Sequence, residues 1–166
     1  MKVLVAGSNG FLGKHVKALL DKENKHTILE ITGKDHIDIT QYHVLNDFIS
    51  ESKPDVIINC AAFVGGIAYG YKYPAKMLYK NSSMAINLYR ASKQNNIEKL
   101  INPISNCAYP GNLSIYKEEF FFEGPPDNSV YNYGISKRLY VQLGKSFYDE
   151  NNLSSVNVVV SNMYGP

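Results

Sequence analysis

Tyr133 and Lys137 are the pair of side chains best suited to acid–base chemistry. They are four residues apart in a helix predicted from about Tyr131 to Glu150, so they share one face of it. An ammonium group beside a phenol stabilises the phenolate, and we expect it to lower the pKa of Tyr133 from about 10. Such a tyrosine can donate or accept the proton at a carbonyl or hydroxyl group. In a chain with 13 tyrosines the pair could also be a surface contact, and Tyr131 is expected on another face.

Ser105 and Cys107 follow a predicted strand at Leu100–Ile104. If the chain is still extended there, both side chains point the same way. Ser105 could then bond a reacting oxygen, and Cys107 could move a proton on a neighbouring carbon if its pKa suits. Cys107 could equally be a small buried hydrophobe, which is the usual environment of a free cysteine.

Three glycines, Gly7, Gly10 and Gly13, form a turn between a strand at Lys2–Ala6 and a helix from Phe11 to about Lys22. Glycine lets the backbone bend tightly and approach a pyrophosphate, which then lies at the amino end of the helix. The strand before and the helix after favour a dinucleotide site over an ordinary turn. A phosphate-binding loop is excluded, because Lys14 is followed by a histidine and the glycine spacing differs.

The end of the second strand usually decides between NAD and NADP. Glu30 could bond a ribose diol, which favours NAD, whereas Lys34 offers a cation for a 2′-phosphate. Both could also be solvated charges; we favour NADP. Asp38 could meet the adenine amino group, or it could cap the following helix together with Thr40.

Strands and helices alternate along the chain, which predicts a Rossmann-type, doubly wound parallel sheet with helices on both faces. In such a sheet ligands bind at the carboxyl ends of the strands, here after Ala6, Ala61 and Ile104. Asn81 lies on an apolar helical stripe, so its amide needs partners: either backbone near the site or a neighbouring turn. The further strands are predicted at His26–Ile31, Asp55–Ala61 and Val156–Val160, and the further helices after Thr40 and from Pro74 to about Asn95.

Composition places the 166 residues in one globular domain, with 45% hydrophobic and 19% charged residues. A net charge of +2 predicts neither a nucleic acid nor a membrane partner. Two cysteines form no disulfide framework and no zinc spacing, and we expect no metal and a cytoplasmic location.

Several segments together resemble the extended short-chain dehydrogenases/reductases of the nucleotide-sugar epimerase/dehydratase family, and within it the GDP-L-fucose synthases. The matching segments are residues 7–13, 54–62 and 64–67, Asn81, residues 106–110, Tyr133 with Lys137, and residues 162–166. The resemblance implies an NADPH-dependent reductase and epimerase that acts on a GDP-4-keto-6-deoxy sugar. It also implies a homodimer formed through long helices.

The resemblance assigns roles to individual residues. Tyr133 would be the proton donor, Lys137 its partner and the anchor of the nicotinamide ribose, Ser105 the third catalytic group, and Cys107 an acid/base in epimerisation. The cofactor would be NADP, with NAD as the alternative. Besides Tyr133 and Lys137, its contacts would be Gly7, Asn9, Gly10, Phe11, Leu12, Gly13, Lys34, Asp38, Ile39, Ala61, Ala62, Gly65 and Asn162.

The sequence departs from the family pattern at Ser105-Asn106-Cys107 and at Val160-Ser161-Asn162, which suggests a divergent member acting on another GDP-deoxy sugar such as a heptose. The chain is expected to be an amino-terminal cofactor domain, because the resemblance stops before the family's substrate domain and its second epimerisation residue, a histidine. One alternative is a nucleotide-sugar epimerase or dehydratase that keeps NAD bound. Dehydratases of this group carry acidic residues where this sequence has Asn106, Cys107 and Ala108, which argues against a dehydratase. Another is a nucleotide-binding domain without activity.

Overall fold

The structure, a computed structural model, describes residues 1–33 and 37–165. Five parallel strands form one sheet in the order β2-β1-β3-β4-β5. The strands are β1 (Lys2–Ala6), β2 (Thr27–Ile31), β3 (Val56–Asn59), β4 (Lys99–Ser105) and β5 (Ser155–Val160). The predicted Rossmann-type parallel sheet is confirmed.

Helices connect successive strands. They are α1 (Phe11–Glu23), α2 (Tyr42–Ser52), α3 (Ile67–Lys72), α4 (Pro74–Gln94) and α5 (Tyr131–Asn151). Helices α2, α4 and α5 pack side by side, whereas α1 contacts β1 and β2. The connection from β1 to β2 runs along the sheet in the opposite direction to the connections that lead to β3, β4 and β5. Because crossovers between parallel strands are right-handed, α1 covers the face of the sheet opposite to α2, α4 and α5.

The core lies between the sheet and the α2–α4–α5 layer. The β1 side chains from Val3 to Ala6 are all buried, which explains the continuous apolar run. The predicted stripe on α4, from Met77 through Asn81 to Leu88, is also buried.

The carboxyl ends of the strands meet at one rim of the sheet. Ala6 pairs with Ile31 on one side and with Asn59 on the other, and Ser105 pairs with Val160. Helix α3 was not predicted from the sequence. Neither were three short 3-10 segments in the loop after β4: Asn106–Ala108, Glu118–Phe120 and Asn128–Val130.

Strand β5 closes the sheet on one side. Its residues Val156, Val158 and Val159 are exposed although they are apolar. None of the described helices is long and apolar enough to cross a membrane.

Gly144 in α5 marks the closest approach of this helix to β5 and α4. A Cβ atom there would lie 2.7 Å from Ser155 Oγ and 2.9 Å from Tyr89 Oη. Alanine normally stabilises a helix interior by up to about 1 kcal/mol relative to glycine, but crowding in a packed core costs about 1–3 kcal/mol. We therefore expect Gly144→Ala to lower the free energy of unfolding by about 1–2 kcal/mol in urea titrations.

Gly70→Ala is the matched control, because a Cβ at Gly70 in α3 meets nothing within 4 Å. Its free energy of unfolding should stay the same or rise slightly. A Gly144→Ala protein as stable as the parent would show that the α5–β5 contact is not close-packed.

Candidate functional site

The glycine turn joins β1 to α1 and has the geometry of an anion site. Gly7 has φ 77°, a conformation that favours glycine. Its N–H donates to Ile31 O at 2.7 Å, which ties the turn to the end of β2. Helix α1 starts after Gly10 with no side-chain cap and no acidic residue in its first turn. Its first N–H groups can therefore receive a phosphate oxygen.

Two close backbone approaches shape this turn. A Cβ on Gly7 would lie 2.7 Å from Ala61 N, so the glycine turn packs directly on the turn after β3. A Cβ on Gly13 would overlap the carbonyl oxygen of Gly7. The turn is thus a tight cradle that fits a pyrophosphate, while Asn9 and Gly10 remain exposed above it.

Of Glu30 and Lys34, the two residues that bear on the choice between NAD and NADP, Glu30 is among the described residues. Glu30 Oε1 lies 3.4 Å from Lys17 Nζ, so its carboxylate is drawn towards α1. Lys34 lies outside the described residues.

Asp38 forms a local turn instead of a helix cap. Its Oδ1 accepts hydrogen bonds from Thr40 N at 2.9 Å and Thr40 Oγ1 at 2.7 Å, and Thr40 holds the pKa of the carboxyl below its usual value. The N-cap of α2 is Gln41, without a side-chain bond, so the prediction that Thr40 caps this helix is wrong. Ile39 is buried and its carbonyl accepts from Asn87, so its side chain belongs to the core.

The loop after β3 is held by Asn81. Its Oδ1 accepts from Phe63 N at 3.0 Å, and its Nδ2 donates to Phe63 O at 2.8 Å and to Met77 O at 2.9 Å. Of the two predicted roles, Asn81 therefore binds backbone beside the site: it fixes the segment from Ala61 to Gly65 at the rim.

Lys137 lies on α5 with only 2% of its surface exposed. Its Nζ is 5.3 Å from the ring centre of Tyr133 and 5.0 Å from that of Tyr140. The predicted pairing of Tyr133 with Lys137 on one face is thus present. Burial lowers the pKa of Lys137 to about 8, because a buried ammonium loses its hydration.

The predicted lowering of the Tyr133 pKa is wrong. Burial raises the pKa of Tyr133 to about 12, and nearby Cys107 adds to the shift. Loss of hydration outweighs the attraction of an ammonium group whose own charged form is disfavoured. At neutral pH Tyr133 therefore carries its proton and is ready to act as a donor.

Ser105 and Cys107 are arranged differently from the extended strand that we expected. Ser105 ends β4, and the chain then turns into the 3-10 segment Asn106–Ala108. Ser105 Oγ accepts from Cys107 N at 3.2 Å and so caps this turn. The same hydroxyl donates a hydrogen bond to Asn106 Oδ1 at 3.3 Å.

Helix α5 holds the Cys107 turn in place. A Cβ on Gly134 would overlap the Cys107 carbonyl oxygen, so the two backbones touch. Arg138 Nε donates to Ala108 O at 2.5 Å. Cys107 therefore lies against the same helix as Tyr133.

A cavity of about 390 Å³ opens beside these groups. Cys107 and Tyr133 both line it, and so does Tyr131, which was expected to face elsewhere. Most of its remaining wall comes from the loop after β3, helix α3 and the segment before α5: Val64, Gly65, Gly66, Ile67, Gly70, Tyr71, Pro74, Met77, Asn128, Ser129, Val130 and Asn132.

The structure thus brings Tyr133, Lys137, Cys107 and Ser105 to one end of the sheet, with the glycine turn and Ala61 beside them. Asn162 is exposed two residues beyond β5, whose last residue pairs with Ser105. The wall formed by α3 was missed; the only signal in the sequence was Gly65-Gly66 before an apolar and aromatic run. Among the described residues, no cluster of His, Cys, Asp or Glu could hold a metal ion.

Comparison with protein families gives one match over nearly the whole chain. The NAD dependent epimerase/dehydratase family matches residues 3–166.

Two curated relatives and one solved structure are similar to the chain. A GDP-L-colitose synthase from Yersinia pseudotuberculosis is 33% identical over 138 residues, which are 82% of this chain and 44% of that protein. A GDP-L-fucose synthase from Sinorhizobium fredii is 28% identical over 166 residues, 99% of this chain and 52% of that protein. A GDP-D-glycero-L-gluco-heptose synthase from Campylobacter jejuni, solved in the presence of NADPH, has a TM-score of 0.92 at 25% identity, over 98% of this chain and 48% of that one. The chain spans about half the length of the relatives it matches.

The buried charge of Lys137 gives a prediction for stability. Below pH 8 Lys137 is protonated in both the folded and the unfolded chain, and the folded state carries the full free-energy cost of burying the charge. Between pH 8 and 10.5 Lys137 is neutral in the folded chain and still protonated in the unfolded one. The free-energy cost of burial therefore decreases as the pH rises through this range. We expect Lys137→Met to raise the free energy of unfolding at neutral pH by on the order of 1–3 kcal/mol. Urea titrations at several pH values should show the gain shrinking above about pH 8.

Lys145→Met on the exposed side of the same helix is the control and should leave stability nearly unchanged. A Lys137→Met protein less stable than the parent at neutral pH would mean that the ammonium group is stabilised where it lies.

Proposed function

The chain belongs to the NAD-dependent epimerase/dehydratase family, and from this premise we propose that the protein is an NADPH-dependent reductase and epimerase of a GDP-4-keto-6-deoxy sugar. One observation carries the proposal: a half-buried, protonated tyrosine and a cysteine line the same cavity, with a buried lysine behind them. A tyrosine–lysine pair serves reduction, and a cysteine beside it serves inversion at a neighbouring carbon.

The names of the relatives support the substrate class. The colitose, fucose and heptose enzymes are all named as synthases of GDP-linked sugars. They differ in the sugar, so we propose the GDP-4-keto-deoxy class with a hexose or a heptose as its member.

The cofactor of this proposal is NADP, with NAD as the alternative. The tight turn at Gly7 and Gly13 and the uncapped start of α1 fit its pyrophosphate. Glu30 is engaged by Lys17, which leaves it less available for the ribose diol that marks NAD. Lys34, Asp38 and Asn162 stay predicted contacts, as do Phe11 and Leu12.

Each of the four groups at this end of the sheet has a role in the proposed reaction, although only Cys107 and Tyr133 line the cavity. NADPH, when bound, supplies the hydride that reduces a ketone carbon. Tyr133 gives its proton to the oxygen of that carbon, and Ser105 donates a hydrogen bond to the same oxygen. Lys137 holds the ribose of the cofactor and, while charged, stabilises the phenolate that remains. Tyr133 loses its proton more readily during hydride transfer than in the resting site, because the negative charge that develops on the substrate oxygen attracts that proton.

Cys107 would act before reduction. A carbon next to the 4-keto group is acidic, since its carbanion is delocalised into the carbonyl, and a thiolate can remove that proton while an acid on the other side returns one. The cavity wall at Cys107 faces the same space as Tyr133, so one bound sugar ring could meet both groups in turn.

A homodimer belongs to the same proposal. The long helices α4 and α5 expose apolar residues such as Tyr79, Ile86 and Tyr148 that a second copy could cover.

Replacing the proposed proton donor tests the reductase assignment. Tyr133→Phe should lower turnover of GDP-4-keto-6-deoxy-mannose with NADPH by about 10²–10⁴-fold, the usual contribution of a positioned acid. NADPH affinity, measured by fluorescence titration, should stay close to that of the parent. Tyr131→Phe is the control at the same cavity and should keep most of the activity. Parent-level turnover by Tyr133→Phe would remove this residue from the mechanism.

Replacing the cysteine separates inversion from reduction. Cys107→Ser should abolish solvent deuterium uptake at the carbons next to the ketone, because a serine hydroxyl is a far weaker base than a thiolate. It should still reduce a ketone supplied with its carbons already inverted. Mass spectrometry of the sugar in deuterated water gives the first measurement, and NADPH consumption gives the second. Undiminished deuterium uptake would exclude Cys107 as the acid/base.

A further inference from the structure

A network of buried amides and hydroxyls lies beneath the candidate site. Its residues come from three neighbouring strands and from helices α4 and α5: Asn59, Tyr89, Asn102, Tyr140, Ser155 and Asn157. Buried polar groups require partners, and these supply one another.

Asn59 is the last residue of β3 and is 2% exposed. Its Oδ1 accepts from Ala61 N at 3.2 Å, so it shapes the turn on which Gly7 packs. Its Nδ2 donates to Tyr140 Oη at 3.2 Å, and Asn102 Oδ1 lies 3.4 Å away. One side chain therefore links the rim turn to helix α5.

Tyr140 continues this link to Lys137. Its ring is 1% exposed, and the ring centre lies 5.0 Å from Lys137 Nζ. An aromatic face attracts a cation, and the attraction is larger when both groups are out of water. Burial raises the pKa of Tyr140, so its hydroxyl stays neutral and the ring, not a phenolate, meets the ammonium.

We propose that Asn59 and Tyr140 are a positioning pair: they fix the ammonium group of Lys137 behind Tyr133 and tie it to the Ala61 turn. The inference rests on the proposed function for its meaning in catalysis, but its contacts do not involve the sugar. Neither residue touches the cavity, so both act through Lys137 and Ala61. Through this pair, the position of Lys137 depends on the carboxyl end of β3, and the turn that follows this strand packs against the glycine turn.

The titration of Lys137 gives the first test. The titratable side chains around it are Tyr133 and Tyr140 on α5, with Cys107 next to Tyr133 and Tyr89 of α4 next to Tyr140. In the protein labelled at lysine side chains, NMR should show the pKa of Lys137 falling by about one unit in Tyr140→Leu, which removes one ring. It should stay within a few tenths of a unit in Tyr140→Phe, which keeps the ring.

Tyr89→Phe is the matched control. Tyr89 is also fully buried, and its hydroxyl bonds Tyr140 O at 2.9 Å in the same network, but its ring is not among those against Lys137. It should lose stability without moving the titration of Lys137. Equal titration of Lys137 in Tyr140→Leu and the parent would overturn the positioning role of the ring.

A double-mutant cycle gives the second test and needs only NADPH. Asn59→Ala and Tyr140→Phe should each weaken NADPH binding by about fivefold, the effect of one lost hydrogen bond. The double variant should bind NADPH no more weakly than Asn59→Ala alone, because Asn59→Ala already removes the bond to Tyr140 Oη. Additive losses, or unchanged affinity in both single variants, would overturn the pair. This cycle does not use Tyr140→Leu, so it tests the pair even when that variant fails to fold.

The two proposals fail separately. A parent protein that turns over neither GDP-4-keto-6-deoxy-mannose nor the corresponding GDP-4-keto-heptose would contradict the proposed function, while the lysine titration and the NADPH cycle would still report on the pair. An active parent with additive losses in the cycle would contradict only the pair.

Discussion

Lys137 carries an ammonium group into a place where almost none of the residue reaches water, and the faces of two tyrosine rings lie against it. Burying a charge in this way is unfavourable, so the packing of the surrounding residues must keep the ammonium group in this position. Glycines at 134 and 144 let α5 lie close to the Cys107 turn, to β5 and to α4. The same close packing withdraws water from Tyr133 and keeps its proton on the phenol. The acid–base properties of the site are therefore a product of how tightly α5 is packed.

Much of the fold could be predicted because its signals are local. The buried strands β1 and β3 are short apolar runs, and Pro74 opens α4 as expected. Parallel pairing then brings their carboxyl ends to one rim without further information. This is why the glycine turn, Ala61, Ser105 and Tyr133 could be placed near one another from sequence, and why Asn81 could be singled out as a buried amide in need of partners.

The rest depends on packing between distant segments, which a sequence pattern does not contain. The pKa of Tyr133 moves opposite to the expected direction, because its hydration is removed by elements far away in sequence. The chain turns at Asn106 because Ser105 Oγ accepts a hydrogen bond from the Cys107 N–H, so the extended backbone that we expected as far as Cys107 ends at Ser105. Asn59 and Tyr140 could not be singled out from the sequence either, because one is an amide in an apolar strand and the other is one tyrosine of 13. Only the hydrogen bond between them in the folded chain marks them as a pair.

The outer strand of the sheet has a practical consequence. Along β5 a row of backbone N–H and C=O groups faces outwards beside the exposed valines at 156, 158 and 159. Such a strand is a template onto which another chain can add, and low charge with high β-propensity favours cross-β stacking. Residues 155–160 are therefore a segment to which another chain could add as a further strand, as β2 is at the opposite edge of the sheet.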